Sequence, residues 1–330
     1  MLSYIVRRCF YMLFLLVIVS IVTFVIIQLP PGDYLTTLVI NLEERGLKLQ
    51  EGQIAALREE YGLNLTIYEQ YFKWVTNMLH GDFGRSFQYE APVSKLIGER
   101  LLLTVTMSLL TLIFVYLIAV PIGIYSATHQ YSLTDYAFTF LGFIGLATPN
   151  FLLALILMFF FYKYLNMSVG GLFSPEFQTA GWSIAKVWDM LKHLPIPIFV
   201  IGTAGTAGLI RVLRSCLLDE LRKQYVVTAR SKGLTERRIL FKYPVRVAVN
   251  PMVSNIGGIL PDLVSGATIT SIVLSLPTTG PLLFGALMNE DMYLAGSFIM
   301  FLTSLSLIGV LISDMLLVVV DPRIRFERKH

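Results

Sequence analysis

Charge is what this sequence has little of: 15% of its 330 residues are Asp, Glu, Lys or Arg, where a soluble domain carries nearer a quarter. The scarcity is concentrated in long runs. Cys9–Gly32, Leu101–Thr134, Tyr136–Tyr162 and Leu194–Ile210 hold no charge, with His129 taken as neutral. Val247–Asn289 holds one, Asp262, and Met292–Val320 one, Asp314. A bilayer core of about 30 Å needs roughly 20 apolar residues of helix, so these runs exclude a soluble domain.

Other absences narrow the class further. No Gly-Lys dipeptide occurs, which removes a Walker A phosphate loop and ATP hydrolysis by that route. The two cysteines, Cys9 and Cys216, have no metal-ligand spacing and read as free thiols. His80, His129, His193 and His330 lie outside the expected spans, which argues against a membrane-embedded Ser/His protease. Two isolated intramembrane aspartates and no internal repeat argue against an ion-coupled secondary carrier. The first apolar run is too long for a signal peptide and lacks a small-x-small cleavage site; it is expected to be a membrane helix.

What is present predicts an all-α integral membrane fold with six transmembrane helices. The first covers 1–29 and ends at Pro30-Pro31-Gly32. Segment 30–98 is expected to form a small extracytoplasmic helical cap. Within it, Glu51–Tyr61 has helical composition, and Thr66-Ile67-Tyr68-Glu69 reads as a capping box. Tyr68, Tyr71, Phe72, Val75 and Leu79 follow at helical spacing, and His80-Gly81 supplies a stop. The stripe predicts packing against the membrane domain. Segment 99–320 is a five-helix core, with spans near 100–127, 136–164, 194–213, 247–273 and 292–320. A tight turn is expected at His129–Asp135, an outer loop with one short helix at 165–192, and an outer hairpin at 275–291.

Positive charge is equally localised. Segment 211–246 holds ten Lys/Arg against three acids, and the tail 321–330 adds Arg323, Arg325, Arg328 and Lys329. With Arg7 and Arg8, these predict a multi-pass protein whose termini both face the cytoplasm. Contact with membrane lipid is expected, and no nucleic-acid partner. The loop 214–246 is far longer than a connector needs. Asp219–Lys232 has helix-forming composition and stops at Gly233, and Thr235 can cap a second helix with Glu236 in its first turn.

Gln224-Tyr225-Val226-Val227-Thr228-Ala229-Arg230-Ser231-Lys232-Gly233-Leu234-Thr235-Glu236-Arg237-Arg238 closely resembles the coupling-loop signature of the dipeptide/oligopeptide permeases of ATP-binding cassette (ABC) importers. Met1–Arg8, His80-Gly81-Asp82-Phe83-Gly84-Arg85-Ser86, Ala147-Thr148-Pro149 and Asp321-Pro322-Arg323-Ile324-Arg325 extend the resemblance over nearly the whole chain. It implies a type I importer permease fold in the cell membrane of a prokaryote. It also implies a coupling helix seated in an ATPase cleft, carried by Tyr225, Thr228, Ala229, Arg230, Lys232 and Gly233. Small residues there would permit close docking, Gly233 the turn, and Arg230 and Lys232 pairing with acids of the ATPase. The implied partners are a second homologous permease, two ATP-binding subunits using ATP and Mg, and an extracytoplasmic solute-binding protein. The chain itself is expected to hold no cofactor and to catalyse no reaction.

The translocation pathway is expected to involve Asp262, Ser271, Pro149 and Asn150. Asp262 follows Pro261 near Gly257-Gly258, where a broken helix can line a cavity; it either lines the pathway or caps the break. Ser271–Pro281 departs from the family pattern: it lacks the acid near Ser271, the glycine near Thr278 and the arginine near Pro281 that relatives often carry. The leading substrate class is peptide, with a neutral oligosaccharide the alternative that this hydroxyl-rich segment suits.

Overall fold

The structure, a computed structural model, describes residues 2–28, 39, 51–60, 64–86, 88–89, 91–167, 169–254, 256, 267–289 and 291–320. Pro30-Pro31-Gly32, Asp262 with its Gly257-Gly258 and Pro261, and the tail 321–330 lie outside the described residues.

Among the described residues the regular structure is helical, joined by turns and irregular segments, with one isolated antiparallel bridge between Arg85 and Pro92. In chain order the helices are α1 (Leu2–Gln28), α2 (Glu51–Glu60), α3 (Ile67–Leu79), α4 (Val93–Thr128), α5 (Leu133–Ala147), α6 (Asn150–Leu165), α7 (Pro175–Gln178) and α8 (Ile184–His193). There follow α9 (Pro195–Leu221), α10 (Gln224–Ser231), α11 (Glu236–Lys242), α12 (Pro244–Ala248), α13 (Thr268–Val273), α14 (Thr279–Met288) and α15 (Met292–Val320). Among the described residues four helices are long and apolar enough to span a membrane, within α1, α4, α9 and α15; counting α5 with α6 as one bent span makes five. The sixth expected span, 247–273, has its middle outside the described residues.

The expected third span, 136–164, is not one straight helix. α5 and α6 meet at an angle of 100°. Thr148 is extended (φ −88°, ψ 118°), as a residue before proline prefers. Pro149 has no N–H to continue the α5 ladder. Its carbonyl instead accepts from Leu152 and Leu153 and opens α6. α9 runs past the expected end at residue 213 to Leu221, so Arg211 and Arg214 lie on a helix and the polar connector begins at Arg222.

The chain divides into two compact units. In the first, residues 1–103 with 278–305, α1 packs against α3: Ser20 Oγ lies 2.9 Å from Tyr71 Oη, Gln28 Nε2 donates to Gln70 Oε1 at 3.1 Å, and Phe24 meets the Tyr71 and Trp74 rings. Glu69 accepts the Thr66 N–H at 2.9 Å, but the Thr66 hydroxyl donates to the same carboxylate at 2.8 Å. These bonds hold the Glu69 carboxyl below its usual range, the backbone bond first. The apolar stripe divides: Tyr71 turns toward α1, while Tyr68, Phe72 and Leu79 are exposed.

In the same unit the 80–86 motif clamps the start of α15. Gly84 is left-handed at φ +76°, and a Cβ there would lie 2.8 Å from Tyr293. Ser86 Oγ donates to the fully buried Asp291 carboxylate at 2.5 Å, and that carboxylate accepts the Leu294 N–H in the first turn of α15.

The second unit, residues 104–277 with 306–330, is organised around α9. Val115, Ala119, Leu209, Leu213, Leu217, Ala248 and Met252 form its core. Glycines let neighbouring side chains pack directly on the helix backbone: an added Cβ would lie 2.9 Å from the Phe114 side chain at Gly202, 2.9 Å from that of Thr203 at Gly145 and 3.0 Å from that of Leu213 at Gly123. Between membrane helices such approach supplies the dispersion contacts that hydrophobic burial cannot, because lipid is itself apolar. Gly202→Val should therefore destabilise the detergent-solubilised protein by about 1–3 kcal/mol, read as a lowered melting temperature. Gly208→Val, with open space around its Cβ position, should not.

Candidate functional site: the polar connector after α9

Residues 222–243 fold into a small structure of their own. Lys223 is the extended N-cap of α10. Val226 and Ala229, three apart and so on one face, bury against Ile239 of α11, with Leu234 and Tyr243 alongside. α10 stops in the left-handed way its sequence predicts. Gly233 has φ +74°, its N–H donates to the Arg230 carbonyl at 2.9 Å, and the Leu234 N–H reaches the Ala229 carbonyl at 3.4 Å. With Leu234 packed beside Ala229, this is a Schellman end. A Cβ at Gly233 would meet nothing within 4 Å; glycine is needed there for its dihedral and not for space.

The opposite face of α10 is open. Tyr225, Val227, Thr228, Ser231 and Lys232 are exposed. Thr228 Oγ1 is turned back onto the Gln224 carbonyl at 2.9 Å, so its methyl and not its hydroxyl group is available outward. Ala229 faces the Ile239 cluster and is covered by this chain. Arg230 is also engaged within the chain: it grips Glu236 with two bonds, Nε–Oε1 at 2.7 Å and NH2–Oε2 at 3.1 Å. The guanidinium holds the Glu236 carboxyl below its usual range. Both partners are exposed, so the pair staples α10 to α11 with little net stability.

Two contacts tie this hairpin to α9. The Tyr225 hydroxyl donates to Glu220 Oε2 at 2.6 Å, and Lys223 Nζ lies 2.9 Å from Glu220 Oε1. Burial and the Glu220 hydrogen bond raise the Tyr225 phenol well above its ordinary pKa.

Nearly two turns further back, α9 is joined to α5 by a contact that composition did not reveal. Arg214 Nε and NH2 each donate to Asp135 at 2.8 Å. Asp135 is 1% exposed, and its carboxylate also accepts the Tyr131 N–H at 2.9 Å. Ser132 caps α5 by accepting the Asp135 N–H. The available signal was position: Asp135 is the one charge between two long apolar runs, where an unpaired carboxylate is expensive.

Three of the four expected pathway residues lie among the described residues. Pro149 and Asn150 form the bend between α5 and α6. Ser271 is buried in the short helix α13, which packs on α6. Asp262 lies outside the described residues.

Residues 119–326 match the family described as the binding-protein-dependent transport system inner membrane component, and residues 1–109 match that family's N-terminal region. The chain belongs to this family. It is 36% identical over 99% of its length to the whole of the oligopeptide transport system permease protein AppB of Bacillus subtilis (strain 168). It is 28% identical over 99% of its length to the whole of the dipeptide transport system permease protein DppB of Escherichia coli (strain K12). With the inner membrane ABC transporter permease protein YejB of Escherichia coli O157:H7 it shares 33% identity, over 86% of this chain and 78% of that one. The chain is thus a multi-pass inner membrane permease subunit of an ABC transporter, a transport component and not an enzyme. A binding-protein-dependent permease works with a solute-binding protein and an ATPase.

The buried ion pair yields a stability prediction. Arg214→Ala strands the Asp135 carboxylate. The loss should fall at the low end of about 3–5 kcal/mol, because a quarter of the Arg214 side chain is solvent-exposed. Replacing both residues by leucine should recover most of the melting temperature.

Proposed function

We propose that this chain is one of two permease subunits of a di- and oligopeptide importer. Two separate ATPase subunits, using ATP and Mg, would drive it, and an extracytoplasmic solute-binding protein would feed it. The observation that carries the reading is the α10–Gly233–α11 hairpin: a rigid, self-packed element with one open face, fixed to the end of a membrane helix. The names of the relatives favour peptide over oligosaccharide as cargo. In this reading six spans cross the membrane, both termini and the hairpin are cytoplasmic, and residues 30–98 cap the outer face.

The coupling route follows covalent and close contacts. ATP binding draws the ATPase subunits together and displaces α10 through its open face, where Tyr225, Thr228 and Lys232 meet the ATPase. Ala229 and Arg230 act from behind, by packing and by the Glu236 staple. Glu220 passes the displacement to α9, and the Arg214–Asp135 pair passes it to α5. The bend at Thr148-Pro149 then reorients α6, and the bundle alternates between inward-open and outward-open. Pro149, Asn150, Ser271 and Asp262 are the proposed pathway contacts.

The test is uptake per ATP hydrolysed by the complete complex in proteoliposomes. Gly233→Val should insert and assemble yet hydrolyse ATP with little peptide uptake, and Gly233→Asn, which tolerates the left-handed region, should stay near the parent. Normal uptake by the valine variant would move the coupling turn elsewhere. Co-purification in mild detergent should bring a Walker A ATPase and a second permease. A chain that moves solute alone without ATP would be a secondary carrier instead.

A further inference from the structure

Helix α8 turns two of its charges, Lys186 and Asp189, inward and an apolar stripe outward. Lys186 and Asp189 are buried on the face turned to the protein. Asp189 accepts both the Ser174 N–H and the Ser174 hydroxyl at 2.7 Å. Lys186 Nζ donates to the Ala180 carbonyl at 2.6 Å and sits 4.8 Å from the Phe173 ring centroid and 5.4 Å from that of Trp182. The helix cannot turn over without breaking these bonds. Its other face presents Ile184 (92% exposed), Val187, Trp188 (62%) and Leu191, a spacing of 0, 3, 4 and 7 that makes one continuous stripe. A helix facing water shows the reverse arrangement.

Position identifies the occupant. α8 ends at His193, the chain bends at Leu194, and Pro195 opens the membrane span α9. The stripe is therefore held at the level where a span meets the bilayer surface. Exposure continues into the span at Pro195 and Phe199, so the apolar surface of α8 runs on into the exposed side of a membrane-length helix. The residue types fit that depth as well. Trp182 and Trp188 are exposed and tryptophan favours the membrane–water boundary, while the exposed Lys192 has the reach to meet headgroup phosphates.

We propose that α8 lies in the headgroup–acyl boundary of the bilayer with its Ile184–Val187–Trp188–Leu191 face in lipid. It acts as a stop that fixes how deeply α9, and with it the polar connector at the far end of α9, is set in the membrane.

Spin labels placed singly at Val187 and Leu191, with Cys9 and Cys216 replaced by serine, test this in the complete transporter in phosphatidylcholine nanodiscs. At both sites collisions with oxygen should exceed those with a water-soluble nickel chelate. Nickel in excess would put the face in water, and suppression of both would put it under another protein chain; either result overturns the proposal. A label-free measurement covers the case in which labelling disturbs assembly. Lipid brominated near the glycerol end of its acyl chains should quench less tryptophan fluorescence in Trp188→Phe than in the parent complex. An equal loss in both would overturn the assignment.

Discussion

Everything in the second unit depends on how closely other helices approach α9. Hydrophobic burial does not hold helices together in lipid, so contact must come from shape. Gly202 against Phe114, Gly145 against Thr203 and Gly123 against Leu213 leave almost no gap. Where α9 leaves the apolar zone, the attraction changes kind: the Arg214–Asp135 pair holds it to α5. The helix that carries the polar connector is thus gripped along its length by packing and near its end by charge.

The connector shows how local rules and assembly meet. Gly233, the Leu234–Ala229 contact and the Arg230–Glu236 staple satisfy α10 and α11 without any partner. That independence leaves one face of α10 unengaged. It also redistributes roles among residues that the family resemblance treats as a group: Tyr225, Thr228 and Lys232 look outward, while Ala229 and Arg230 serve the hairpin itself.

The sequence rules worked best where one periodicity or one breaker decides the outcome. α15 begins at the expected Met292, and Gly233, which takes a positive φ without a Cβ penalty, ends α10, although the single helix expected over Asp219–Lys232 is divided at Arg222-Lys223 between α9 and α10. The rules were weaker where two readings share a pattern. Uncharged Tyr136–Tyr162 reads as one span, yet Pro149 divides it into α5 and α6. The stripe on α3 marked apolar residues correctly but could not say which of them turn to α1, because a stripe of five residues is wider than one contact face. Asp135 and Arg214 were visible as charges, one between apolar runs and one in a basic segment. That they form a bidentate pair depends on a contact 79 residues apart along the chain, which no local pattern encodes.

The bend at Thr148-Pro149 has a mechanical meaning. Its angle is set by a proline without a donor and an extended residue before it, so it behaves as a built-in elbow and not as a flexible joint. The 16 residues of α6 make a rod about 24 Å long. A rotation of about 10° at its base sweeps the tip by about 4 Å over that length. A small tilt of α5 carried rigidly through the elbow would therefore appear at the far end of α6 as a displacement on the scale of a side chain.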